Sequence, residues 1–378
     1  MADSSSAPVD AAAAVDEPPD DESPSFPWPP AVSARYDRLE KIGAGMFSEV
    51  YKARDLARGG KAVAVKHLRG RGDARFLKTG LHELAREAMS LYAVSGHPAV
   101  VSVVATHADA SRPDGDCFLV MEYAGRRNLR DYLLRRRRGK GRRRPFGEGE
   151  VRGAMAQMLA GLRWAHDEAG VLHRDVEPES VVVWERSRLR GLGGGGAVTY
   201  KLCGFGLSEP ADRAEKDGLA TLASSAAYRA PELLLGSSRY DGRVDTWGLG
   251  CVMAELLAGT GEPLFAGVLA AGETAASQLR QVLDVVGARG VKAWLGLAEV
   301  ERGGCRGGTE EAARAVRACP DEGRLREMFP EKVLSQDGFD VLSGLLESGP
   351  GERLTAAAAL EMPWFTKPRC GGCFRVTI

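Results

Sequence analysis

The chain has no uncharged apolar run of 18 residues, so a membrane-spanning helix is not expected. Its first residues lack a basic stretch followed by an apolar one, which argues against a secretory signal peptide. Seven cysteines are scattered without paired spacing, so there is no disulfide framework, and a reducing compartment suits them. No internal repeat is present. Lys and Arg are missing from residues 1–30, which instead carry seven acids: Asp3, Asp10, Asp16, Glu17, Asp20, Asp21 and Glu22. The remainder therefore has an excess of about +7, although the whole chain is formally neutral. These absences point to an intracellular protein of nucleus or cytoplasm with no membrane partner.

What is present suffices for a large core. There are 378 residues, 44% of them hydrophobic, enough for two packed lobes. Residues 1–33, rich in Ser, Pro, Ala and Asp, read as a disordered tail, and 366–378 as a second tail. From Tyr36 the pattern changes. "YDRLEKIGAGMFSEVYKARD" reads as two strands around a glycine turn, "KAVAVKHL" as a third strand, and "LHELAREAMSLYAV" as a helix. "CFLVMEYAG" reads as a buried strand entering a linker. Helices dominate afterwards. In "EVRGAMAQMLAGLRWAHDEAG", Val151, Met155, Met158, Leu159 and Leu162 share one face, and "VDTWGLGCVMAELLAG" is a second strong helix. The expected fold class is α+β: a β-sheet lobe over about 36–124 and a mainly helical lobe over about 125–365.

The chemistry-bearing strings come in a fixed order. "GAGMFSEV" is a glycine loop whose backbone could approach phosphates. Lys66, in "AVK", lies on the next strand, and Glu87 follows 21 residues later on a helix, where it could orient the ammonium. "HRDVEPES" contains Asp175, and "CGFG", "YRAPE", "DTWGLG" and "ERL" follow.

As a set these strings resemble the eukaryotic protein kinases over about residues 36–365. "YRAPELLLG" and "VDTWGLGCVMAELL" are most similar to the cyclin-dependent branch, including plant members. The resemblance implies a two-lobed Ser/Thr kinase fold that binds ATP. Asp175 would be the catalytic base, with Lys66 and Glu87 as its catalytic partners. The nucleotide would lie among Ile42, Gly43, Ala44, Gly45, Val50, Ala64, Lys66, Met121, Glu122 and Tyr123, with Met121 as gatekeeper. His173, Phe205 and Leu91 would stack between the lobes, Asp245 would brace the catalytic loop, and Glu232 would pair with Arg353.

The departures are concentrated at phosphate and metal. The metal-binding asparagine of the family is Ser180, its principal metal-binding aspartate is Gly204, and its γ-phosphate lysine is Glu177. Glycine offers a hard cation no side-chain oxygen, so no metal ligand set is expected and magnesium binding is in doubt. At ~5 Å and an effective dielectric of about 20, turning that lysine's attraction into repulsion shifts the interaction by several kcal/mol. Ser48 stands at the third glycine of the loop, Ala220 where the branch usually carries its phosphorylated threonine, and Ala226 and Ala227 before the "YRAPE" tyrosine. Thr221 is adjacent to Ala220.

The expected function is a cyclin-dependent-kinase-like pseudokinase with lost or strongly impaired phosphotransfer, acting through protein contacts with cyclin-like or substrate proteins. An active Ser/Thr kinase is the alternative. A polyanion-binding scaffold is the second alternative, resting on Arg135–Arg144, read as a solvated loop with eight basic residues in ten. "CGGC" at 370–373 has no second Cys/His pair near it and is not expected to bind metal.

Overall fold

A computed structural model describes residues 27–45, 48–68, 74–108, 116–138, 145–185, 198–212, 225–266, 274–302 and 310–367. Residues 1–26, residues 139–144 of the arginine run, the "GLGGGG" loop, Ala220, Thr221 and the "CGGC" string lie outside them.

The small lobe is a five-stranded sheet in the order β1-β2-β3-β5-β4, all pairs antiparallel. Its strands are β1 (Tyr36–Ala44), β2 (Ser48–Asp55), β3 (Lys61–Leu68), β4 (Val103–Ala108) and β5 (Cys117–Glu122). Alternation in "KAVAVKHL" puts Val63 and Val65 on one face, where they pack with Tyr51, Ala53, Phe118 and Val120. Helix α2, by its range Ala74–Val94, covers the other face, with Leu84, Ala88, Leu91 and Val94 buried. Helix α1 (Pro30–Ser33) precedes the sheet.

Residues 27–33 depart from the expected tail. Trp28 is only 6% exposed and meets the Tyr51 and Phe118 rings edge-on at 5.7 and 5.8 Å, while Arg38 lies over it at 5.3 Å. One tryptophan can bury about 150–250 Å² of surface. That is enough to fix a short Pro-rich stretch whose composition alone reads as tail.

The large lobe is built on α4 (Glu148–Arg163) and α6 (Arg243–Ala258), introduced by α3 (Leu129–Arg138) and α5 (Pro231–Leu234). The predicted face of α4 is fully buried at Val151, Met155, Met158, Leu159 and Leu162. Almost all of α6 is buried as well, so it reads as continuously apolar rather than striped. Gly248 is required there: a Cβ would come within 2.5 Å of the Val176 carbonyl oxygen, so only glycine lets α6 run directly beneath the catalytic loop. Short strands β6 (Arg127–Asn128), β8 (Val181–Glu185) and β9 (Val198–Leu202) form one sheet, and β7 (Val171–Leu172) pairs with β10 (Glu209–Pro210).

The arginine run also departs from its reading as a loop. Arg135 to Arg138 form the end of α3. Arg136 makes a two-point ion pair with Glu150, at 3.1 and 2.9 Å, and its guanidinium lies 3.9 Å from the Phe146 ring centroid. Arginine stems pack along apolar surface while the head stays paired, which composition does not reveal. Among the described residues no helix is long and apolar enough to cross a membrane.

Candidate active site

Strand register sets the upper wall. Ala64 pairs with Met121, Lys66 with Leu119, and Gly43 with Val50. Ile42 and Ala44 flank Gly43 in β1, and the Gly45 N–H donates to the Ser48 carbonyl at 2.7 Å. Glu122 is committed to structure: its backbone N–H donates to Ser102 O, and its carboxylate accepts from Lys201 Nζ at 2.6 Å and Ser102 N–H at 3.0 Å. Tyr123 turns its ring edge-on to Trp184 at 6.2 Å, beneath Lys52 at 4.9 Å.

Lys66 Nζ donates to Glu87 Oε2 at 2.5 Å, bringing helix α2 against the sheet. Burial opposes the ammonium charge, but the Glu87 carboxylate more than offsets it, and the lysine pKa is raised. Two further contacts hold α2 to the segment after the "CGFG" string. Ser208 Oγ donates to Ser90 Oγ at 2.6 Å, and Arg86 donates to the Gly206 carbonyl at 3.3 Å. Glu209 then lies 3.7 Å from Arg86 and 3.6 Å from Arg174, bridging a helix of the small lobe to the catalytic loop.

The catalytic loop hangs from Asp245. This carboxylate accepts the backbone N–H of His173 at 2.8 Å and of Arg174 at 2.6 Å, and also His166 Nε2 at 2.7 Å. Burial favours the protonated acid, but these donors prevail and hold Asp245 below the usual carboxylate range. They also hold Arg174 in the left-handed region at φ 70°, unusual for a residue with a Cβ. The His173 ring donates to the Cys203 carbonyl at 2.9 Å and packs on Phe205 at 4.4 Å, with Leu91 fully buried nearby.

At the centre the structure brings Asp175, Glu177, Ser180 and Gly204 together. Burial raises the Asp175 pKa, the Asp245 and Glu179 charges adding to it. Burial also lifts Glu177, with Asp175 and Glu179 adding, to about 8. Burial and these neighbours thus favour the protonated form of Glu177, and the repulsion expected from its sequence position is weaker than a full negative charge would give. The Ser180 hydroxyl is already used: it donates to Glu177 O at 2.9 Å and accepts from Glu177 N–H at 3.1 Å. Gly204 is left-handed at φ 78°, and a Cβ there would sit 3.6 Å from Ser180 Cβ, an ordinary contact. There is room for a Cβ, though this backbone angle strains any L side chain, and no carboxylate is present.

The magnesium of kinase chemistry fits this donor set poorly. Hard cations take oxygen ligands, most often carboxylates. Here one expected ligand is glycine and the other is a hydroxyl turned into its own loop. Among the described residues no group of three or more His, Cys, Asp or Glu could hold a metal ion.

One cluster escaped the sequence reading. Arg130 of α3 donates to Glu179 Oε1 at 2.9 Å and to Gly261 O at 3.0 Å, and also reaches the Glu255 carboxylate and the Tyr228 hydroxyl. Tyr228 donates to Glu255 Oε2 at 2.8 Å. Below the site, Arg353 grips Glu232 through two bonds of 2.6 and 2.8 Å, both side chains nearly inaccessible. The Glu232–Arg353 pairing could be named from motifs, but Arg130 joins residues 49 to 131 positions away from it, with no local signature.

The protein kinase domain family matches residues 36–365. A protein of Oryza sativa subsp. japonica described as cyclin-dependent kinase F-2 is 44% identical over 338 residues, 88% of this chain and 90% of that protein. Cyclin-dependent kinase G-2 of Oryza sativa subsp. indica is 32% identical over 87% of this chain but only 41% of its own length. Among solved structures, a chain of the yeast RNA Pol II CTD kinase complex superposes with a TM-score of 0.65 at 22% identity, covering 88% of this chain and 93% of that one.

Proposed function

The chain belongs to the protein kinase family, among its cyclin-dependent-kinase-like members, and from that premise we propose that it is a pseudokinase whose phosphotransfer is lost or strongly reduced and which acts through protein contacts. The observation that carries this reading is Gly204. It stands, without a side chain, at the position of the family's principal metal ligand, beside a Ser180 hydroxyl bonded to its own loop. Phosphoryl transfer depends on positioning and charge neutralisation, so an essential interaction worth ~4 kcal/mol lowers the rate about a thousandfold when lost.

In this reading ATP remains a possible ligand. Lys66, held by Glu87, would meet its phosphates, and Ala64, Val50 and Met121 would line its base. Asp175 stays in the place of the base that accepts a substrate hydroxyl proton, but a base alone does not neutralise the transferring group. Partners would be proteins, cyclin-like or substrate-like, met through the kinase surface.

The rival reading, a working Ser/Thr kinase, draws support from the assembled Lys66–Glu87 pair and the packed His173–Phe205 contact. Both features belong to a cleft ready for chemistry. A phosphotransfer assay on a basic protein substrate, with Asp175→Asn as the blank, separates the two. The pseudokinase reading expects turnover indistinguishable from the blank. Turnover at ~1 per second or more, abolished in Asp175→Asn, would establish the active kinase instead.

A further inference from the structure

Beside the hinge lies a cavity of about 250 Å³ that shares Tyr123 with the expected nucleotide residues but is otherwise lined by residues the kinase reading does not use. Its walls are aromatic: Tyr123, Tyr132 and Trp184, the last 44% exposed. Its rim is basic: Lys52, Arg126 and Arg127. Two acids adjoin it, and both are shared out. Glu40 is divided between Lys52 at 3.4 Å and Arg126 at 3.2 Å, and Glu185 accepts the Tyr132 hydroxyl at 3.0 Å. Arg127 has no ion pair among the described residues. The cavity is thus an aromatic slot with surplus positive charge. Aromatic slots suit proline rings, and surplus positive charge suits acids.

The chain itself supplies that chemistry. Residues 16–22 read "DEPPDDE", five acids around Pro18–Pro19, in a stretch with no Lys or Arg. Trp28 is packed on Tyr51, which neighbours Lys52 in β2 but points to the opposite face of the sheet, so the segment must pass round the sheet to reach the cavity rim. Six to twelve residues separate Trp28 from the acidic stretch, and twelve can span up to ~40 Å. Tethering makes the encounter intramolecular, so even weak contacts are populated. We propose that residues 16–22 dock in cis into the cavity formed by Lys52, Tyr123, Arg126, Arg127, Tyr132 and Trp184. Lys52 belongs to the sheet lobe, and Arg127 and Trp184 to the strands of the helical lobe, so the docked segment ties the lobes together across the hinge.

The competing occupancy is the arginine run around Lys140, which could attract the same acids. Zero-length carbodiimide cross-linking of the full chain, read by mass spectrometry, distinguishes the two. It joins carboxylates only to lysines in contact with them, and the chain has few lysines. The expected result is a link from residues 16–22 to Lys52, within one copy when light and heavy isotopic protein are mixed, and fading as salt rises. The double variant Arg126→Glu, Arg127→Glu should lower its yield about tenfold, equivalent to ~1.4 kcal/mol of docking. Arg126 is exposed and Arg127 half-buried, and an unchanged melting temperature checks that this variant is folded. As a second reading, neutralising the five acids to Asn and Gln should raise acrylamide quenching of Trp184, isolated by difference from Trp184→Phe. Links to Lys140 in place of Lys52, links only between light and heavy copies, or unchanged Trp184 quenching would each overturn the proposal.

Discussion

Two regions of the helical lobe, drawn from residues between Glu177 and Arg353, differ in what they have kept. At the lobe's base, Glu232 and Arg353 form a two-point ion pair nearly sealed from water, and Asp245 gathers three donors beneath the catalytic loop. At the phosphate side of the cleft, Ser180 is bonded to its own loop, Gly204 has no side chain and Glu177 is an acid whose pKa is raised by burial. The difference follows from what each region must do without ligand. A buried ion pair that loses one partner leaves an uncompensated charge, so it is needed merely to fold. A metal ligand does nothing for the empty fold, and removing its carboxylate relieves the cleft of repulsion from Asp175. On the proposed reading, the framework is kept without the metal chemistry.

The sharpest way to break this contrast is at the base. Glu232→Ala should cost about 3–5 kcal/mol by urea denaturation, because Arg353 would remain charged and buried. A loss below ~1 kcal/mol would place the ion pair among the dispensable features. The complementary experiment restores the phosphate side. Gly204→Asp, Ser180→Asn and Glu177→Lys together should raise phosphotransfer at least ~100-fold over the parent, with Asp175→Asn removing the gain. Each single change should do little, because residues acting as a unit are not additive. A triple variant that binds Mg-ATP well and stays inert would move the fault to Ala226 and Ala227 in the activation segment.

The fold was largely legible because its strongest signals are periodic. β3 coincides with "KAVAVKHL", and the buried stripe of α4 is the one its 3.6-residue spacing gives. Lys66 and Glu87 could be paired by order and spacing, and the structure places them in contact. Three features were not legible, each for a tertiary reason. Trp28 sits in a stretch of tail-like composition and is rescued by rings from β2 and β5. Arg136 looks like one more solvated charge until Glu150 and Phe146 meet it. Glu177 reads as a negative charge, and only burial, with Asp175 and Glu179 beside it, favours its protonated form. Propensity and pattern report what a segment does alone, whereas charge state and pairing depend on distant neighbours.

Two smaller effects sharpen the comparison. Arg136→Ala should cost about 1 kcal/mol, well under Glu232→Ala, since its pair with Glu150 faces solvent while its guanidinium lies over the Phe146 ring. Thermal or urea unfolding measures it, and a zero effect would return the whole run to the solvated-loop reading. Glu177 gives a pH signature. Its carboxyl rises from the ordinary 4.5 to about 8, so the folded protein holds a proton that the unfolded chain has released. Stability should therefore fall as pH rises from about 4.5 to 8 and level off above, and Glu177→Gln should flatten that slope. Asp175 shifts in the same direction and its charge acts on Glu177, so the difference reports Glu177 together with its effect on Asp175. Partial solvent exposure keeps this effect the smallest of the set.

The central claim, that the cleft retains a nucleotide pocket without a metal site, is tested most directly by the melting temperature of the full chain with ATP, in magnesium and in EDTA. The account predicts the same shift in both, small or large, because Gly204 and Ser180 give magnesium no carboxylate to join. A stabilisation that appears only with magnesium would contradict it.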